Sequence, residues 1–215
     1  MISADIGVGT GEVVMFTQVI SGKITDQVAV AALMQHWVTN LAPGASGWLS
    51  STSGATADGE YVVFACFESA EAARRNSDRP EQGAWWGEIE RCFVEPPTFA
   101  DFDDVLTLRA GVSPQAGFVQ AMLGSVSDVG RERELSQAFV ELDTDIRPDL
   151  LGGIIGIGDD GRFAQAMYFS SEAEARVGEQ SEVPEEMAKS FAEEQQLITE
   201  IRYLDLTAPT IHVAD

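Results

Sequence analysis

An α+β fold made of two tandem copies of one unit is predicted by three observations. The first is internal repetition. Asp58-Gly59 leads into the apolar run Glu60-Tyr61-Val62-Val63-Phe64-Ala65-Cys66-Phe67, then Glu68-Ser69-Ala70-Glu71-Ala72-Ala73-Arg74, then Pro80-Glu81. About a hundred residues on, Asp160-Gly161 leads into the apolar run 162–169, then Ser170-Ser171-Glu172-Ala173-Glu174-Ala175-Arg176, then Pro184-Glu185. The second is periodicity, which alternates between strand-like and helix-like within each copy. The third is that the strand Tyr61 to Phe67 is apolar on both alternating faces, so both faces need cover.

The elements follow in order. Val13 to Ile20 is a β-branched apolar run and reads as a strand. Thr25-Asp26 can cap a helix whose stripe is Val30, Leu33, Met34, Trp37 and Leu41, and Pro43-Gly44 stops it. Gly47 to Ser53 is a weaker strand. The loop Thr56-Ala57-Asp58-Gly59 makes a hairpin, because Asp-Gly tolerates the positive φ of tight turns. After the strand Tyr61 to Phe67, Ser69 caps a short helix, Ala70 to Asn76. Pro80 opens a second helix, Glu81 to Phe93, and Pro96-Pro97 ends it. A last strand runs from Thr98 to Leu108, with Asp101, Asp103 and Asp104 suiting an exposed edge. The order β-α-β-β-α-β is the split βαβ, ferredoxin-like arrangement.

The second copy follows the linker 109–115. Phe118-Val119-Gln120 matches Phe16-Thr17-Gln18, Asp128 matches Asp26, and Phe139 matches Trp37. The stripe here is Leu135, Ala138, Phe139, Leu142 and Ile146. Gly158-Asp159-Asp160-Gly161 forms the hairpin, and Asp205 matches Asp101 after a two-residue insertion. The expected units are residues 1–110 and 111–215. A four-stranded sheet with helices on one face leaves an apolar face bare, so two copies should pack sheet to sheet as a pseudo-dimeric α/β barrel. Fusion makes that association intramolecular. The product is either a monomeric pseudo-dimer or a homodimer.

Composition narrows function. The net charge is −22 and the only lysines are Lys23 and Lys189. The charge is spread: 15 acids against 5 bases in residues 1–108, and 20 against 8 in the remainder. Such a field repels nucleic-acid backbones and anionic membranes, so neither partner is expected. No apolar run is long enough to span a bilayer and no secretory leader is recognisable, so the expected compartment is the cytoplasm. Cys66 and Cys92 lack metal-type spacing and read as free thiols.

Several chemistries find no support. Gly7-Val8-Gly9-Thr10-Gly11 precedes a strand rather than following one, which is the wrong context for a phosphate loop. Gly152-Gly153-Ile154-Ile155-Gly156 lies inside a strand pattern. With His36 and His212 as the only histidines, no Ser-His-Asp arrangement is expected. No metal site or cofactor is expected either.

The chain resembles the dimeric α/β-barrel superfamily, and within it the antibiotic-biosynthesis-monooxygenase-like proteins. The resemblance rests on the element order, the Pro-x-x-x-Gly after the first helix, the junction Phe67-x-Ser69-x-Glu71-x-x-Arg74, and Arg79-Pro80-Glu81-Gln82-x-x-Trp85-Trp86. It implies a ligand cavity in each half, between sheet and helices. It also implies that oxidation of aromatic polyketides by oxygen without a cofactor, haem degradation, or no activity at all are family options. Haem degradation in relatives resembles a site with a histidine on or after the second helix, and residues 81–98 contain none.

The candidate ligand is a small aromatic molecule, such as a quinol or anthrone, in the first half. Trp85 and Trp86 either wall that pocket or pack as core. Phe16 and Gln18 share a strand face. Gln18 either steadies a ligand oxygen or, since Gln120 repeats it, serves the seam between the halves. Arg79, with Arg74, Arg75 and Asn76, either holds an anionic group or forms a solvated face paired with glutamates. The positions matching Trp85 and Trp86 fall near Lys189 and Ser190, within a slip of a few residues, so the second half should lack the aromatic wall. No general base is evident. A non-catalytic small-molecule-binding or structural protein of the same fold is the alternative.

Overall fold

The computed structural model describes residues 15–141 and 147–214. The glycine run 7–11, the first residues of the expected opening strand, and Leu142 and Ile146 of the second stripe lie outside the described residues. The first copy contains β1 (Phe16–Lys23), α1 (Gln27–His36), β2 (Trp48–Ala55), β3 (Glu60–Phe67), α2 (Ala70–Ser77), α3 (Pro80–Ile89), β4 (Thr98–Phe102) and β5 (Val105–Arg109). The second contains β6 (Phe118–Val126), α4 (Val129–Glu141), β7 (Leu150–Ile157), β8 (Arg162–Phe169), α5 (Glu172–Gly178), α6 (Glu185–Leu197), β9 (Ile198–Leu206) and β10 (Thr210–Val213).

Local chemistry sets these boundaries in parallel. The Asp26 carboxylate accepts from the Ala29 N–H at 2.9 Å, and Asp128 accepts from Arg131 N–H at 3.0 Å. Ser69 and Ser171 cap α2 and α5 in the same way. The hairpin glycines Gly59 and Gly161 take φ of +87° and +85°, a region that favours glycine. In the first copy α1 continues into a π-helical turn, Trp37–Leu41, closed by Ala42 N–H donating to Trp37 O.

Two five-stranded antiparallel sheets result, ordered β10-β2-β3-β1-β4 and β5-β7-β8-β6-β9. The expected single strand Thr98 to Leu108 is in fact two strands, broken at Asp103-Asp104. β4 pairs with β1, whereas β5 crosses over and pairs with β7. In return β10 joins the first sheet beside β2. Each sheet thus takes one edge strand from beyond its own copy, and the polypeptide bends from sheet to sheet at both barrel corners.

Between the sheets lies one shared core. It includes Val19, Val62, Phe64 and Phe102 from the first sheet and Val119, Ile154, Tyr168 and Leu206 from the second. Gly54 and Gly156 let the sheets approach. A Cβ on Gly54 would meet Leu206 at 3.1 Å, and one on Gly156 would meet Phe102 at 2.6 Å. The Thr52 hydroxyl and Tyr168 OH, 2.7 Å apart, form a hydrogen bond across this core. Cys66 is buried there as a free thiol, with its pKa raised by burial, and Cys92 is also free. Among the described residues no helix is long and apolar enough to cross a membrane.

Candidate functional site

The outer face of the first sheet and the helices over it enclose a cavity of about 300 Å³. β1 contributes Gln18 and Ile20 and β3 contributes Tyr61, Val63 and Ala65, alternating in the strand period, while β2 contributes Trp48 and Ser51, brought to the same face by a register shift between Trp48 and Ser50. The wall is a continuous run of rings. Trp48 meets Trp37 at 5.2 Å, Trp37 meets Trp85 at 6.2 Å, Trp85 meets Trp86 at 6.2 Å, and Trp86 meets Phe99 at 5.3 Å, all tilted or edge-on. All four tryptophans of the chain belong to this wall.

Two of the indoles are anchored. Trp37 Nε1 donates to Gln82 Oε1 at 2.6 Å and Trp85 Nε1 to Leu33 O at 2.9 Å. Trp85 is therefore both core and wall, being buried in the helix layer and facing the cavity. Trp48 Nε1, Ser51 Oγ and Tyr61 OH line the same cavity, are buried, and have no hydrogen-bond partner. Leaving such groups unpaired costs roughly 1–3 kcal/mol each. Burial pushes the Tyr61 phenol up to about 12, only slightly opposed by the nearby Ser53 hydroxyl, which lies outside hydrogen-bond geometry, so the group carries its proton at neutral pH.

A row of facing residues crosses the sheet beneath the cavity, with Ser51, Ala65 and Gln18 lining it and His212 and Asp101 at the two edges beyond. The registers place His212 opposite Ser51, Ser51 opposite Ala65, Ala65 opposite Gln18, and Gln18 opposite Asp101. Gln18 Nε2 donates to Asp101 Oδ1 at 2.9 Å. A carboxylate only accepts, so the amide nitrogen must face it, which turns the Gln18 carbonyl away from Asp101. His212 Nε2 is buried without a partner, and burial lowers the pKa of its ring, so the imidazole is neutral at neutral pH. Ser51 and His212 are neighbours that are not hydrogen-bonded to each other. Asp101 lies three strands from Ser51, about 14 Å at ordinary strand spacing, so these residues do not form a triad.

The other sequence candidates fall elsewhere. Phe16 packs beneath α2 with Phe67, Ala72 and Ala73, outside the cavity lining. Arg79 turns its guanidinium to Leu41 O (3.0 Å), Asn76 Oδ1 (2.9 Å) and Glu81 (2.9 Å), tying the π-helical turn to the start of α3. Arg75 pairs with Glu71 at 3.0 Å. Sequence reasoning missed Trp48, Ser51, Tyr61 and His212 and assigned Trp37 to core alone. A signal was present for all but His212: the repeat-equivalent positions of Trp37, Trp48, Ser51 and Tyr61 hold Phe139, Leu150, Gly153 and Phe163, so the first copy carries polar or indole groups where the second does not.

The second half also has a cavity, of about 420 Å³, between its sheet and α4–α6. Phe139, Phe163, Phe169, Phe191 and Tyr203 line it, which corrects the expectation that this half lacks an aromatic wall. Phe139 and Phe191, 5.9 Å apart, take the place of the Trp37–Trp85 contact. The shift of α6, a longer helix than α3, brought Phe191 rather than Lys189 to that position.

No protein-family model matches the chain, and no curated protein does. Solved structures do. A candidate monooxygenase from Fusobacterium nucleatum superposes with a TM-score of 0.74 at 10% identity, covering 93% of this chain and 94% of that one. One from Lactobacillus acidophilus gives 0.68 at 10% identity, covering 93% and 99%. An anthrone oxidase-like protein gives 0.67 at 13% identity, covering 94% of each chain. The chain therefore shares with these structures a fold of two ferredoxin-like units packed sheet to sheet, along 93–94% of its length.

Proposed function

We propose that the first-half cavity binds a planar, electron-rich aromatic molecule and that the protein oxidises it with molecular oxygen, without a cofactor, in the manner of an anthrone or quinol oxidation. One observation carries this reading: a wall of four indoles encloses three buried polar groups that have no partner of their own. Flat apolar walls with a few convergent polar groups suit an aromatic ligand bearing ring oxygens, and about 300 Å³ lies at the small end of ligand cavities. The fold shared with an anthrone oxidase-like protein supports the choice of substrate class.

In this reading the protonated Tyr61 phenol and the Trp48 N–H donate to a substrate carbonyl, where negative charge grows as a C–H proton leaves. Ser51 and the neutral His212 beside it take that proton. The carbanion itself reduces oxygen. For an anthrone methylene, one O2 gives the ring carbonyl and one water, so no other reductant is consumed. The indoles orient the substrate and exclude solvent.

Oxygen uptake by the purified protein with a panel of anthrones and quinols tests the proposal, with Tyr61→Phe and Trp86→Ala alongside. Uptake that both variants reduce while melting cooperatively supports it. A second reading, a non-catalytic binder, is favoured by the missing Ser51–His212 hydrogen bond. It predicts tryptophan quenching by the same compounds with no oxygen consumed.

A further inference from the structure

We propose that the second-half cavity is a separate site for a lipophilic primary amine, whose ammonium is held by Glu194, with the Glu132 carboxyl close behind. Glu132 sits in the first turn of α4, only 1% exposed. Its Oε1 accepts from Ser136 Oγ at 3.0 Å, while its Oε2 is buried with no partner. Ser136 and Glu194 both line the cavity and Glu132 lies behind Ser136, so this corner presents one carboxyl group to an apolar space with a second close behind it. They also feel each other. Burial first, and then the charge of Glu132, push the Glu194 carboxyl up to about 7, with Gln165 opposing. Burial likewise raises the pKa of Glu132.

The charged groups on the surrounding elements are already committed. On α4, Arg131 forks onto Glu193 of α6 at 2.6 and 2.9 Å and reaches Glu134 at 2.7 Å, and Arg133 pairs with Asp159. On α6, Lys189 pairs with Glu185. The cavity's own cations, Arg109 and Arg147, stand at the other end, beside Leu150 and Asp149. That end lies near Phe169, four residues along β8 from Gln165, or about 13 Å at strand rise. Glu179 and Glu182 line the cavity from the turn after α5.

An ammonium group answers this arrangement. It supplies a charged donor to Glu194 beside Gln165 and offsets the buried charge of Glu132 behind it, and its apolar stem meets Met122, Phe139, Phe191 and Tyr203. Aromatic faces near a cation add to its binding. A divalent cation is a poorer fit, since among the described residues no group of three acidic, histidine or cysteine side chains converges. The chain's acidic field also draws in a cation.

Calorimetric titration of the full chain at physiological ionic strength and neutral pH tests the proposal, with phenethylamine, its uncharged isostere phenethyl alcohol, and the anion hydrocinnamate as probes. The amine is expected to bind at least about tenfold more tightly than the alcohol, with no binding of the anion. The double variant Glu132→Gln/Glu194→Gln is expected to lose that preference, as is Glu194→Gln alone, which serves should the double variant not fold. Tryptophan fluorescence is expected to stay unchanged, because all four indoles line the other cavity. Equal affinity for amine and alcohol, a preference that survives both variants, or indole quenching by the amine each overturns the proposal. None of these outcomes bears on oxygen uptake in the first half.

Discussion

The two cavity floors are the same sheet position filled differently. In the first half the row reads His212, Ser51, Ala65, Gln18, Asp101. In the second it reads Leu108, Gly153, Met167, Gln120, Asp205. The outer pair is retained: Gln120 Nε2 donates to Asp205 Oδ1 at 3.0 Å, as Gln18 does to Asp101. The centre differs by volume exchange. Met167 fills the space that Ala65 leaves open, and Gly153 leaves room for it in this rotamer, since a Cβ there would meet the Met167 sulfur at 2.6 Å. Asp205 also holds Arg176, which rests over Phe118, whereas Asp101 has no such cation. The pair shared by both copies therefore belongs to the scaffold, and the differences mark where the halves have diverged in chemistry.

That comparison can be broken or sharpened by exchange. The largest effect concerns acids unique to the second half. A folded-state pKa of about 7 for Glu194, above its ordinary 4.5, means the folded protein binds the extra proton in between. Stability is then fullest below about pH 4.5 and falls as pH rises through 7, by at most about 3 kcal/mol at 1.36 kcal/mol per pKa unit. Urea melts against pH should show this slope in the wild type and lose it in Glu194→Gln.

Next comes His212→Leu, which installs the second-half residue at the first-half edge. It is expected to lower oxygen uptake with an anthrone about 100-fold while leaving ligand quenching of the indoles intact. Unchanged uptake would remove His212 from the proton path. Ala65→Met carries the second half's filler into the first. With Ser51 in place of a glycine the site is overpacked, so a loss of about 2 kcal/mol in stability and of aromatic ligand binding is expected. Adding Ser51→Gly should recover the stability and not the binding.

The smallest effect has the opposite sign. Tyr61→Phe copies Phe163 and removes a buried unpartnered hydroxyl, so the ligand-free protein should gain about 1 kcal/mol, a rise of a few degrees in Tm. Its affinity for an anthrone should fall. A variant that loses stability instead would show that the hydroxyl is satisfied within the protein.

What was legible in the sequence was local. Caps at Asp26, Ser69 and Ser171 and hairpin glycines at 59 and 161 act over a few residues, and the repeat placed the Gln18–Asp101 and Gln120–Asp205 pairs in corresponding positions. What was not legible was which edge joins which sheet. The run Thr98 to Leu108 has strand composition throughout, and only the charges at Asp103-Asp104 hint at the corner. For the same reason His212, with no local partner, gave no sign that it would lie beside Ser51. Trp85 and Trp86 line the cavity, one of the two placements their sequence left open, because a helix over an apolar sheet turns its aromatic side inward.

The exchange of β5 and β10 has a consequence for how the chain is made. When synthesis has delivered β1 to β4, the first sheet still lacks its strand beside β2, and that gap is filled only after residues 210–213 have left the ribosome. Domains generally fold one after another as the chain emerges. Here the first half must wait with an open strand edge, able to pair with whatever strand arrives. The two halves therefore mature together, and a ribosome that stalls midway leaves an aggregation-prone fragment rather than half a working protein.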